Sequence, residues 1–182
     1  MKVLGISGSL RRDSWNTKLL RAAAELLPPG AELVIWQGLR EVPAYDEDED
    51  GDDRPAAVVD LWRAIEEADA VLIATPEYNH SLPGALKNAL DWMSRPLADS
   101  PLRGKPALVI GASTGMFGAV WAQAEGRKVL AAIGARVVDA ELPVTLCHDR
   151  FEADGRLADE DLRAQLAEMV GAMRKHPRAV AA

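Results

Sequence analysis

Cysteine is almost missing from this chain: Cys147 is the only one in 182 residues. A lone thiol closes no internal disulfide, as expected of a protein kept in a reducing compartment. Its neighbour His148 invites a thiol–imidazole reading. Consecutive strand residues point to opposite faces and share no proton, however, so a buried structural cysteine is expected. Long apolar runs are absent too. None approaches the roughly 18 residues that span a bilayer, and the N-terminus passes directly into a strand pattern without a cleavable leader. The expectation is a soluble, cytoplasmic protein with no membrane partner.

Nor is there an excess of positive charge. The formal net charge is −7, from 21 basic and 28 acidic residues, and Asp46, Glu47, Asp48, Glu49, Asp50, Asp52 and Asp53 crowd into one segment. The rest of the chain is balanced, with no basic stripe to follow a phosphodiester backbone, which argues against a nucleic-acid partner. The acidic segment begins like a calcium loop, with Asp46, Asp48, Asp50 and Gly51. Its twelfth position is Ala57, where a bidentate Glu is required, so a solvated, self-repelling surface loop is expected. Paired carboxylates, a metal-ligating cluster and a Ser-His-Asp arrangement are all missing. No metal is expected, and no catalytic side chain.

What is present is a regular alternation. Apolar residues make up 48% of the chain and charged residues 27%, the balance of an ordinary globular protein, and the length suits one domain over 1–182. Strand patterns at 2–7, 31–36, 70–75, 107–112 and 137–146 alternate with helical patterns at 16–27, 54–68, 83–93, 118–133 and 158–174. Pro28-Pro29-Gly30 stops the first helix. Ser81 is placed to cap the third, with Pro83 in its first turn, and Pro143 interrupts the last strand. Such alternation gives an α/β fold, a parallel sheet covered on both faces. The first, third and fourth strands are nearly all apolar and belong at the centre. A doubly wound sheet of order 2-1-3-4-5 places them so, and its ligands bind beyond the carboxyl ends, at the switch point between strands one and three.

The loops after those three strands carry the chemistry. Gly5-Ile6-Ser7-Gly8-Ser9-Leu10-Arg11-Arg12-Asp13-Ser14-Trp15-Asn16-Thr17 runs from a buried strand into a helix. It offers backbone N–H groups at a helix N-terminus, hydroxyls and guanidinium groups, the donors that surround a phosphate dianion. Neither G-x-x-x-x-G-K-[ST] nor G-x-G-x-x-G is present, so a mononucleotide stands ahead of ATP or a dinucleotide. Ser, Asn and Gly are also ordinary capping and turn residues. The loop after the third strand, 75–84, is bracketed by Pro76 and Pro83, which stiffen a rim of N–H and C=O groups able to read the polar edge of a flat heterocycle. Tyr78 adds an aromatic face and Asn79 an amide; a capping turn on which Tyr78 merely packs is the plainer reading. His80 has nothing in the loop to orient it and reads as a rim or interface residue. After the fourth strand, Gly111-Ala112-Ser113-Thr114-Gly115-Met116-Phe117-Gly118 lets backbone approach a planar ligand closely, or serves as a plain strand-to-helix turn.

The motif G-S-L-R-x-x-S-x-N-T (Gly8 to Thr17), together with P-E-Y-N-H-S-L-P-G-A-L-K-N-A-L-D-W (Pro76 to Trp92), resembles the NAD(P)H-dependent FMN reductases, a flavodoxin-like family that includes soluble quinone, azo-dye and chromate reductases. The resemblance implies that Ser9, Arg11, Ser14, Asn16 and Thr17 hold the FMN phosphate. It places Pro76, Glu77, Tyr78 and Asn79 along the isoalloxazine, largely through backbone groups, with Ser113, Thr114 and Gly115 at its other edge. It further implies a homodimer or homotetramer with the flavin near a subunit interface. An arginine is expected in the run 118–123, where this chain has Trp121, which puts an ion-paired tetramer contact there in doubt.

The implied activity is ping-pong transfer of hydride from NADPH or NADH to flavin N5 and on to a quinone, azo, nitro, flavin or metal-oxyanion acceptor. Two other readings stand beside it. One is a flavodoxin-type electron carrier, against which the chain has only two Tyr and two Phe to cover a flavin. The other is a flavin-free mononucleotide-binding protein.

Overall fold

The computed structural model describes residues 1–51 and 53–175; Asp52 of the acidic segment lies outside the described residues. Its elements run β1 (Lys2–Ser7), α1 (Trp15–Glu25), β2 (Glu32–Trp36), α2 (Ala56–Glu67), β3 (Ala70–Thr75), α3 (Gly84–Met93), β4 (Pro106–Ala112), α4 (Val120–Ile133), β5 (Arg136–Val137), β6 (Pro143–Val144) and α5 (Glu160–Ala172). All strand pairs are parallel, in the order β2-β1-β3-β4-β5, with β6 also against β4. This is the doubly wound, flavodoxin-like order that the apolar strands called for.

Alternate residues of the central strands feed two cores. Leu4, Ile6, Val71, Ile73, Ala107 and Val109 pack under α2, α3 and α4. Val3, Ala70, Leu72, Leu108 and Ile110 pack under α1 and α5. Burying each of these Val, Leu and Ile side chains contributes about 1.5–3 kcal/mol before the entropy of ordering it. β3 and β4 are buried at every position, whereas β2 alternates and forms an edge.

Two sequence expectations are corrected. The fifth strand is not continuous over 137–146. It is two short strands, β5 on the start of β4 and β6 on its end. Between them the buried Gln123 of α4 takes the backbone of Leu142, donating from Nε2 to its carbonyl and accepting its N–H at Oε1, both at 3.0 Å. A side chain from the overlying helix thus replaces the missing rungs beside Pro143, which has no N–H to give. Ser81, in turn, does not cap α3, whose first turn follows Pro83 with no side-chain cap.

The acidic segment turns in a short 3-10 stretch with Asp46, Glu47, Asp48 and Glu49 exposed, and Asp50 pairs with Arg54 at 2.7 Å. No described helix is long and apolar enough to cross a membrane.

Candidate active site

The first loop is held open by short polar ties. Ser14 caps α1, its Oγ accepting from the N–H of Asn16 at 3.2 Å and of Thr17 at 3.4 Å. Thr17 Oγ1 bonds Ser7 Oγ at 3.1 Å. Gly8 donates to Ala74 O at 2.8 Å, and a Cβ there would lie 2.9 Å from Leu86 Cδ2 and 3.1 Å from Thr75 Oγ1, so only glycine lets this loop lie down on β3. The backbone N–H groups of Leu10, Arg12, Asp13, Ser14 and Trp15 then find no acceptor among the described residues. Asp13, the one acid in the loop, is taken up by Lys18 at 2.7 Å, whose hydrogen bond and charge hold its carboxyl below the usual range. The loop therefore presents donors and positive charge, with its own carboxylate already neutralised.

The second loop makes a tight turn. Tyr78 and Ser81 exchange two backbone hydrogen bonds of 3.1 Å, and Asn79 and His80 between them have φ of 52° and 59°. Both central residues are left-handed, the geometry of a type I′ turn, here built without glycine. Ser81 is spent on closing this turn, which is why it does not reach α3. Glu77 points away from the turn: Oε2 accepts from the N–H of Trp121 at 2.9 Å and of Ala122 at 3.1 Å, anchoring the first turn of α4. Its other oxygen stands 3.6 Å from His80 Nδ1, and the His80 ring meets the Trp121 ring edge-on at 4.4 Å. His80 is thus oriented, contrary to the sequence reading, by one residue of its own loop and one of α4. What Glu77 leaves for a ligand is its backbone N–H, which has no acceptor among the described residues.

The third loop is sewn to the β6 side. Ser113 donates from its N–H to Val144 O at 3.1 Å and accepts from Cys147 N–H at 3.0 Å; Gly115 donates to Ser113 Oγ at 3.0 Å. Gly118, at φ 58°, leaves no room for a Cβ, which would fall 2.5 Å from the Pro143 carbonyl carbon. Thr114 N–H has no acceptor among the described residues. Met116, Phe117 and Trp121, which the sequence reading did not select, stand 71%, 60% and 39% exposed.

One buried cross-link sets the loops against each other. The Asn16 side chain, 3% exposed, donates to Ala112 O at 3.1 Å and accepts Ala112 N–H at 2.9 Å, joining the start of α1 to the end of β4. Beside it Ser9, Arg11, Ser14, Trp15, Asn16, Pro76, Glu77, Tyr78, Ala112, Ser113 and Thr114 surround a cavity of about 190 Å³. Asn79 and Gly115 lie outside this lining, and Thr17 lines a neighbouring cavity of about 270 Å³ on the β2 side of the first loop. The site stands at the carboxyl ends of β1, β3 and β4, where the strand order reverses.

Residues 1–149 match the NADPH-dependent FMN reductase family. The chain belongs to that family. It is 41% identical over 174 residues to an NAD(P)H-dependent FMN reductase of Pseudomonas aeruginosa, covering 95% of this chain and 93% of that one. It is 40% identical over 169 residues to a 2-hydroxy-1,4-benzoquinone reductase of a Burkholderia species, with 91% and 90% covered. Among solved structures, a flavoenzyme NAD(P)H:(acceptor) oxidoreductase from Paracoccus denitrificans superposes with a TM-score of 0.83 at 36% identity, covering 97% of this chain and 98% of that one.

This FMN reductase relative is an oxidoreductase with FMN as cofactor and NAD(P)H as reductant. Its donors fit such a cofactor. Five first-loop N–H groups without acceptors, and Arg11 with no carboxylate partner, both among the described residues, are donors that suit a phosphate dianion, and the N–H groups of Glu77 and Thr114, residues that line the cavity, suit the polar edge of a flat ring.

Proposed function

We propose that this chain is a single FMN-binding domain over 1–182 that reduces small planar acceptors, quinones first, at the expense of NAD(P)H in the cytoplasm. The observation that carries this reading is the cavity where three polar loops converge, with its unanswered N–H groups and open top. When bound, FMN supplies a ring that takes hydride from NAD(P)H and returns two electrons to the acceptor in ping-pong turnover.

The chain's own residues bind, orient and leave room. The backbone of the first loop, with Ser9, Arg11, Ser14, Asn16 and Thr17, holds the phosphate, Asn16 by fixing the loop's position and Ser14 by fixing the start of α1. Pro76, Glu77 and Tyr78 line one edge of the ring and Ser113 and Thr114 the other, with Asn79 and Gly115 next to them in the same loops. N–H dipoles there favour negative charge on the reduced ring, so no side chain need act as acid or base. Tyr78, 52% exposed, shapes the face that substrates use. The neighbouring apolar side chains Met116, Phe117 and Trp121 support a homodimer or homotetramer through this crest, since exposed apolar patches of this kind are usual at interfaces.

Titration of the purified chain with FMN, followed by anaerobic mixing with NADPH or NADH and then a benzoquinone, tests the reading. Saturable uptake, bleaching of the yellow colour by the nucleotide and its return on adding quinone are expected. A chain that takes up no FMN, or keeps its colour under both nucleotides, overturns it.

A further inference from the structure

We propose that the cavity on the β2 side of the first loop receives the 2′-phosphate of NADPH. The inference rests on the reading of NAD(P)H as reductant and adds to it a site for discriminating the two nucleotides.

The cavity holds about 270 Å³ and is lined by Arg11, Arg12, Arg21 and Arg40 against a single carboxylate, Glu41. Four guanidinium groups around one hollow are out of keeping with a chain of net charge −7. Five arginines elsewhere, Arg54, Arg127, Arg150, Arg156 and Arg163, each pair with a carboxylate, whereas none of these four does among the described residues. Arg40 instead donates to Leu10 O at 2.7 Å, tying the β2 side to the first loop and closing the cavity at that point. Asp13, the nearest acid on the loop, is engaged by Lys18. Four guanidinium groups against the one carboxylate of Glu41 leave the hollow with an excess of positive charge, and guanidinium groups suit a phosphomonoester dianion by charge and by paired N–H geometry.

Position selects the nucleotide. This cavity shares Ser9 and Arg11 with the flavin cavity, so it begins where the flavin phosphate site ends. A dinucleotide whose nicotinamide lies on the ring has two riboses and a pyrophosphate before its 2′-phosphate, a longer reach than the flavin's own tail. The proposal runs its far end past the first loop to this cavity, where Ile35, Trp36 and Leu39 offer an apolar wall for the adenine.

Calorimetric titration with 2′,5′-ADP and 5′-ADP, on the FMN-loaded and the FMN-free chain, reads the site without turnover. Wild type is expected to bind 2′,5′-ADP at least about tenfold more tightly than 5′-ADP, the scale of one or two charge-assisted bonds. The Arg12→Ala/Arg21→Ala variant is expected to lose that preference, with KM for NADPH raised about tenfold, and KM for NADH and affinity for FMN within about twofold. No preference for the 2′-phosphate, an unchanged NADPH KM in the variant, displacement of FMN by 2′,5′-ADP, or inorganic phosphate binding as tightly as 2′,5′-ADP would each overturn the assignment. A chain that binds 2′,5′-ADP but never FMN would sink the reductase reading while leaving the cavity assigned.

Discussion

Asn16 and Ala112 exchange two hydrogen bonds, of 3.1 and 2.9 Å, between the start of α1 and the end of β4. β3 lies between β1 and β4 in the sheet, so this pair closes the top of the fold over the middle strand and fixes the first and third loops relative to each other. Asn16→Ala leaves a buried N–H and a buried C=O of Ala112 unanswered, a loss of about 2–4 kcal/mol in urea unfolding. Asn16→Asp does not rescue it, because the second carboxylate oxygen faces Ala112 O, where the amide had donated. FMN affinity is expected to fall in both variants; an Asn16→Ala chain with wild-type stability would show that the cross-link is not formed.

Glu77 anchors α4 from the second loop through the N–H groups of Trp121 and Ala122. Removing the acceptor in Glu77→Ala costs about 0.5–2 kcal/mol, the usual range for a helix N-terminal cap. Glu77→Gln keeps an oxygen for those N–H groups and loses only the charge, so it is expected to retain most of the stability. Urea unfolding of both variants checks this, and a Glu77→Gln chain as unstable as Glu77→Ala would contradict it.

These two pairs also mark where the sequence stopped being readable. Strands such as 70–75 declare themselves because all six residues are buried, and the first loop declares its donors because glycine, hydroxyls and arginine occur together between a strand and a helix. The partners of those donors are set by tertiary approach. Nothing near Leu142 announces Gln123, which comes from 19 residues earlier to replace the strand rungs. Asn79 and His80 form a left-handed turn without the glycine that signals one, so Ser81 passed for a helix cap. Arg40 joins the first loop only because β2 pairs beside β1, and meets there Arg21 of α1.

Arg11 is the guanidinium on the cavity proposed for the flavin, exposed and with no carboxylate partner among the described residues. Arg11→Ala is expected to weaken FMN binding by about 1.5–3 kcal/mol, the range for a charge-assisted hydrogen bond, seen as an increase of roughly one to two orders of magnitude in Kd. Riboflavin, which lacks the phosphate, should bind wild type and variant alike. A variant that loses both ligands equally would place Arg11 in the fold and not at the phosphate.

Tyr78 stands at the edge of the same cavity with half its surface exposed, while its backbone closes the tight turn. Tyr78→Ala keeps those backbone bonds, so flavin retention should change little, whereas kcat/KM for a quinone acceptor should fall by about tenfold, one lost aromatic contact. Fluorescence titration and steady-state kinetics separate the two; equal kinetics in the variant would remove Tyr78 from the substrate face.

Cys147 makes the stability of the fold depend on pH. Its backbone N–H holds Ser113 O at 3.0 Å, and burial of the thiol pushes its pKa up from an ordinary value of 9.0 to about 11. Between those values the unfolded chain has lost a proton that the folded chain keeps, so the folded state binds more protons and stability falls as pH rises. Below about 9 the term is constant. Each pH unit across that window removes at most about 1.4 kcal/mol relative to a chain without the thiol. Cys147→Ala starts less stable at pH 8 because of the lost packing, and its deficit against wild type is expected to shrink by about 1–2 kcal/mol at pH 10.5. Unfolding curves for both proteins that run parallel from pH 8 to pH 10.5 would mean that the thiol titrates normally.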